Sequence, residues 1–167
     1  MKAVFDINSY IEYKKMDKKK INPDLIELFK IKVESDIKIN NSPDPEDTEI
    51  IIGFACSTQH NVVEKKIKVL LGVKLSKSNE SDESDESAIF SFEYFFNIKE
   101  LEGFYTIKKG EDMEEVVVLS SQLAITLVSI AISTSRGIVF EKLQNTKWNN
   151  VIIPVVSPKE ILFPKGE

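Results

Sequence analysis

The sequence predicts an α+β domain: a four-stranded antiparallel meander packed against one long helix, with a second helix short or absent. Three observations carry that expectation. Four apolar runs with two-residue alternation fall between residues 28 and 98, a stretch of twenty residues without a charge follows, and three prolines crowd the last twenty residues.

The first run starts at Leu28, with Phe29, Ile31 and Val33 on one side and Lys30, Lys32 and Glu34 on the other, and continues to Ile37 and Ile39. Asn40 to Pro45 holds two prolines and several turn formers, which break the ladder before a second run, Ile50 to Cys56. His60 and Asn61 begin a polar link to the third run, Ile67 to Leu75. Residues 76–87 carry no apolar side chain that could offset the entropy of ordering, and predict a flexible acidic loop. The fourth run, Ala88 to Ile98, places Phe90, Phe92, Tyr94 and Phe96 on one face, with Ile89, Ser91, Glu93 and Phe95 on the other. Short links between successive strands predict the meander.

Acidic residues at 111–115 and the pair Arg136-Gly137 bracket the uncharged stretch and read as helix start and stop signals, so the long helix is expected over Val116 to Ser135. Roughly twenty apolar residues would span a bilayer. Ser120, Ser121, Gln122, Thr126, Ser129, Ser133, Thr134 and Ser135 make the segment too polar for lipid, and no aromatic belt or second span flanks it, so no membrane span is expected. A surface helix normally shows charge on its wet face, so a helix without any must be covered on most sides. The sheet covers one side, and a second copy of the same helix is the natural cover for the other. The expectation is a homo-oligomer with Leu123, Leu127, Ile130, Ala131 and Thr134 in the interface, and Ala124, Ser129 and Ser133 small enough for close approach. A monomer with the C-terminal segment wrapped over the helix is the alternative. In that segment Pro154, Pro158 and Pro164 leave room for one helical turn, Pro158 to Leu162.

The chain has 167 residues, 42% of them hydrophobic, which suits one compact domain with a core of its own. Residues 1–27 read as an N-terminal extension with a basic run at 14–20, and 28–167 as the domain. A net charge of −5 disfavours nucleic acid and anionic lipid as partners. One cysteine, Cys56, and no secretory leader in the opening residues point to the cytoplasm.

Catalytic chemistry finds little support. His60 and Cys56 lie four residues apart and would share a strand face, but a structural zinc needs about four ligands and no further Cys or His exists, so no metal is expected. No nucleophile elbow, phosphate-binding loop or dinucleotide fingerprint is present. The carboxylates cluster at 80–86 and 111–115, where solvation would leave their pKa values ordinary. An enzyme would need a pocket around residues such as Tyr94, Glu93 or His60. The expectation is a non-enzymatic protein without cofactors.

Several strings, in order, resemble the SecB family of export chaperones. Ala88-Ile89-Phe90-Ser91-Phe92-Glu93, leading through Phe95 and Ile98 into Leu101-Glu102-Gly103-Phe104, is similar to the family's last strand and the start of its crossover loop. Ser133-Thr134-Ser135-Arg136-Gly137 is similar to the family's helix end, and Val151 to Val156 followed by Pro158 to Leu162 to its apolar-proline segment before the second helix. The resemblance covers residues 28–163. It implies dimers paired edge to edge, two of which pack across their long helices into a tetramer, and a holdase that captures unfolded polypeptides in aromatic grooves without nucleotide or metal. The polypeptide-binding residues it implies are Phe90, Phe92, Tyr94, Phe96, Leu101, Phe104, Tyr105 and Ile107. The chain departs from the family in its short second helix, the missing tail that serves docking on the export motor, and the extension at 1–27. A non-chaperone module serving one partner, such as an antitoxin or phage protein, is the competing expectation.

Overall fold

The computed structural model describes residues 21–40, 48–77, 86–109 and 115–163. The basic run at 14–20, the prolines at 43 and 45, most of the acidic stretch after residue 77 and the acids at 111–114 lie outside the described residues.

Four strands form one antiparallel sheet: β1 (Ile26–Lys38), β2 (Ile50–Asn61), β3 (Lys66–Lys77) and β4 (Ser87–Ile98). All four expected strands exist, and β1 begins ahead of residue 28. The order is β1-β4-β3-β2, so the sheet is not a simple meander. β2, β3 and β4 follow one another as hairpins, while β1 crosses over to lie against β4. The link from Lys38 to Ile50 is too long to enforce a tight hairpin, and β1 gains more by packing Ile31 and Val33 beside Tyr94 and Phe92, its register partners on β4. A bulge between Leu28 and Lys30 inserts Phe29 as an extra residue.

Strand alternation converts directly into burial. On one face Ile67, Val69, Leu71, Val73 and Leu75 of β3 and Phe90, Phe92, Tyr94, Phe96 and Ile98 of β4 are almost completely buried. The long helix α1 (Ser121–Leu143) packs over β3 and β4 on that face, and the short α2 (Pro158–Leu162) over β2. Nine side chains of α1, from Leu123 to Leu143, are buried. By length and apolar composition α1 could cross a membrane; here its apolar side forms the second layer of the core.

Two boundaries differ from the sequence expectation. Val116, Val117 and Val118 belong to a strand, β6 (Glu115–Leu119), paired with β5 (Tyr105–Lys109) in a small second sheet. Their branched side chains favour extended backbone. The helix starts later, where the Ser120 Oγ accepts from the Leu123 N–H at 3.4 Å and the Ser120 N–H donates to the Phe104 carbonyl at 2.7 Å. It also runs past Arg136-Gly137 to Leu143, because Val139 and Leu143 continue the buried stripe and a helical glycine costs only about 1 kcal/mol.

The C-terminal segment does wrap onto the helix. Trp148, Ile153 and Ile161 are buried, and the Arg136 Nε donates to the Ile153 carbonyl at 2.9 Å.

Glu86 corrects the reading of residues 76–87 as a wholly solvated loop. Ser76 and Lys77 end β3, Ser87 opens β4, and Glu86 is only 7% exposed. Its carboxylate pairs with Lys77, lies 2.9 Å from the Lys147 Nζ and accepts the Asn40 N–H at 2.7 Å. Burial would raise its pKa, but these hydrogen bonds and the charge of Lys147 outweigh it and hold the carboxyl below its usual range.

Candidate functional site

The sequence places eight residues in a binding surface, and the structure divides them. Phe90, Phe92, Tyr94, Phe96, Leu101 and Phe104 are 0–2% exposed and fill the layer between sheet and helix. They are core side chains in this protomer rather than walls of an open groove. Phe90 and Phe92 stack with centroids 6.4 Å apart, and Phe92 and Tyr94 at 5.9 Å. The Tyr94 hydroxyl meets the Ser135 Oγ at 2.5 Å, and burial pushes its pKa up, partly opposed by that bond. Of the eight, Tyr105 is half-buried and Ile107, on the small hairpin, is 54% exposed.

The open apolar surface lies instead on β1. Ile31 and Val33 sit opposite Tyr94 and Phe92 on the helix side of the sheet, yet remain 37% and 38% exposed. Among the described residues the covering helices pack mainly over β2, β3 and β4, which leaves this strip partly exposed. β1 is also an edge: among the described residues it pairs with β4 alone, and every second backbone N–H and C=O then faces away from the sheet. An edge with an apolar strip beside it can accept an extended chain by adding a strand, with backbone bonds giving affinity and the strip holding alternate side chains. Sequence reasoning identified the alternation of β1 but passed over its exposure. The density of aromatics on β4 drew attention to the buried neighbour.

Five residues were expected in a helix interface. Leu123, Leu127 and Ala131 are completely buried against their own sheet, which corrects that part of the expectation, while Ile130 and Thr134 are half-buried. The outward stripe of α1 runs through Gln122, Thr126, Ser129, Ser133, Gly137 and Phe140. Two of its hydroxyls bond inward: Thr126 donates to the Gln122 carbonyl at 2.9 Å and Ser129 to the Ile125 carbonyl at 2.7 Å. That stripe is uncharged, small at Thr126, Ser129, Ser133 and Gly137, and ends on the 44% exposed Phe140.

The residues weighed for catalysis do not converge. Tyr94 points into the core and Glu93 to the opposite face, where it bridges Lys32 at 3.2 Å and Lys68 at 3.7 Å. The hydrogen bond from Lys32 holds the Glu93 carboxyl below its usual range. His60 and Cys56 share the helix side of β2, opposite Ile67 and Leu71. Burial pushes the Cys56 thiol up to about 12 and lowers the His60 pKa. Among the described residues no group of three or more His, Cys, Asp or Glu is placed to hold a metal.

This arrangement, a four-stranded antiparallel sheet with one long and one short helix on a single face, is a SecB-like α+β fold. A similar solved structure is the SecB-like chaperone Rv1957 of Mycobacterium tuberculosis, in complex with a ChAD peptide from the HigA1 antitoxin Rv1956. It matches 80% of this chain and 91% of its own, with a TM-score of 0.55 at 13% identity, so the likeness is one of fold. No family model and no curated protein matches the sequence.

Proposed function

We propose that this protein is a SecB-like chaperone that holds unfolded or partly folded polypeptides, without cofactor or chemical step, by seating extended segments along β1. The observation that carries the reading is the coincidence of a strand edge, unpaired among the described residues, with the partly exposed Ile31 and Val33. Such a site recognises backbone and alternating apolar side chains with little sequence demand, which is what unfolded chains offer and folded ones hide. The solved neighbour of the same fold holds a peptide from another protein, which is in keeping with this use. The peptide in that complex comes from an antitoxin, and a chaperone dedicated to one client is kept as a second reading.

The outward stripe of α1 supplies the second half of the proposal. Its small, uncharged residues suit packing against a second copy, giving a cytoplasmic homo-oligomer, dimer or tetramer. A role in protein export, with delivery to the export motor, is the most specific extension and draws its support from the resemblance of sequence strings alone.

The test is binding of a permanently unfolded, carboxymethylated protein, followed by fluorescence anisotropy. Capture in the micromolar range, weakened at least tenfold by Ile31→Asp with Val33→Asp, is the expected result. Indifference to unfolded chains, or equal binding by the double variant, would remove the reading. Preference for one native client sequence over unrelated unfolded chains would select the dedicated form.

A further inference from the structure

Where the C-terminal segment passes over α1 it leaves a hollow of about 200 Å³. Ser129, Ile132, Ser133 and Arg136 line it from the helix, and Val155 and Val156 from the segment. The two sides are tied by the hydrogen bond from the Arg136 Nε to the Ile153 carbonyl at 2.9 Å. A guanidinium carries five N–H donors in a planar fork. That bond takes one of them and sets the plane of the half-buried side chain, and among the described residues the remaining donors have no protein partner. No acidic side chain lines the hollow: Glu141 and Glu160, the acids nearest in the sequence, stand outside it. One positive fork and two serines beside Ile132, Val155 and Val156 suit a carboxylate carried on a short aliphatic group.

The segment offers more than a free acid could use. Ile153 precedes Pro154, which holds it to extended backbone. From Ile152 to Val156 the backbone makes, among the described residues, a single hydrogen bond, the one from Arg136. Ile152 and Val155 are 65% and 82% exposed. Extended backbone with uncommitted N–H and C=O groups and outward apolar side chains pairs with another extended chain.

We infer that this hollow binds the carboxyl terminus of a polypeptide whose last residue is aliphatic. The end of the Arg136 fork takes the carboxylate in paired hydrogen bonds, the last side chain packs on Ile132 and Val156, and the backbone around Val155 pairs with the incoming chain. The inference rests on the reading of this protein as a polypeptide binder and adds chain ends to the internal segments seated along β1. Pro158 at the start of α2 also lines the hollow, and α2 packs over β2, at the opposite edge of the sheet from β1. Both sites can therefore be filled together.

The probe is a labelled peptide, Ser-Gly-Thr-Ser-Ser-Val-Leu, with a free terminal carboxylate, followed by fluorescence anisotropy. Its controls are the C-terminal amide and the same peptide ending in serine. Isovalerate serves as a free-acid competitor, and light scattering follows the oligomer, because Ser129 and Ser133 also belong to the outward stripe of α1. Expected is binding of the free acid that each control weakens by about tenfold. Arg136→Gln and Val155→Glu weaken it by a similar factor; Val155 is an open position, so its variant keeps the circular dichroism spectrum and the capture of unfolded protein. Ile31→Asp with Val33→Asp leaves the peptide affinity as it was, so a failure at β1 and a failure here read separately. Equal binding of the amide overturns the inference, as does parent-like binding by a folded Val155→Glu. Isovalerate that competes as strongly as the unlabelled peptide would mean a pocket for free acids, and an oligomer that dissociates as peptide is added would mean that a second copy covers the hollow. Either result also overturns it.

Discussion

The Tyr94 hydroxyl on β4 and the Ser135 Oγ on α1 form a buried hydrogen bond of 2.5 Å, which joins the sheet to the helix at the centre of the core. Both residues are at most 1% exposed, so neither group can turn to bulk water if the other is removed. Ser135→Ala leaves the phenol without its partner and is expected to cost about 1–3 kcal/mol. Tyr94→Phe costs less, because a serine in a helix can donate to the carbonyl one turn back. A double-mutant cycle by urea unfolding should give a coupling of about 1 kcal/mol; two additive losses would mean the bond contributes nothing.

Glu86 gives the protein an acid-sensitive clamp. Its folded-state pKa is depressed from 4.5, so its contribution is complete above that value and declines as pH falls through the lower folded pKa. Glu86→Gln is expected to lower stability by about 1–3 kcal/mol at pH 7, because the charged hydrogen bonds that the carboxylate accepts from Lys77 and Lys147 are weakened. The variant should also lose less stability than the parent between pH 5 and 3, read from urea midpoints. A parallel decline in both proteins would exclude the clamp.

Cys56 should be slow to react. With its thiol pushed up to about 12 by burial, almost none is thiolate at pH 8. Ellman's reagent should therefore modify the folded protein at least tenfold more slowly than the same protein in 6 M guanidinium. Equal rates would place the thiol in an open, polar setting.

Gly137 lies on the exposed stripe of α1, where an added Cβ meets nothing within 4 Å. Gly137→Ala should raise stability by about 0.5–1 kcal/mol through helix propensity alone. Ser133→Arg on the same stripe tests self-association: light scattering should show the mass fall to that of the monomer, with the circular dichroism spectrum kept. An unchanged oligomer would move the interface off this helix.

Much of the architecture was legible because alternation is a local property. The runs from Leu28, Ile50, Ile67 and Ala88 all became strands, and Pro158 to Leu162 became the short helix. Boundaries were lost where two elements share a composition: Val116 to Leu119 and the start of α1 form one uncharged run, and only pairing with β5 separates them. The partner of β1 was hidden because strand order depends on which neighbour fills the space, and no single segment records that. The candidate site was less legible for the same reason. Periodicity groups Phe90, Phe92, Tyr94 and Phe96 on one face but does not say whether that face meets solvent or a helix. Glu86 was indistinguishable from its acidic neighbours until Lys77, Lys147 and Asn40 were seen around it.

The crossover of β1 also sets the order in which the sheet can come apart. β2, β3 and β4 are joined by local hairpins, whereas β1 closes a loop from Ile26 to Ile98, and removing it leaves a three-stranded sheet still roofed by α1. Amides of β1 should exchange with deuterium before those of β3, through an opening that spares the rest of the core. The strand that carries the exposed apolar strip is thus the part of the sheet whose opening disturbs the rest least.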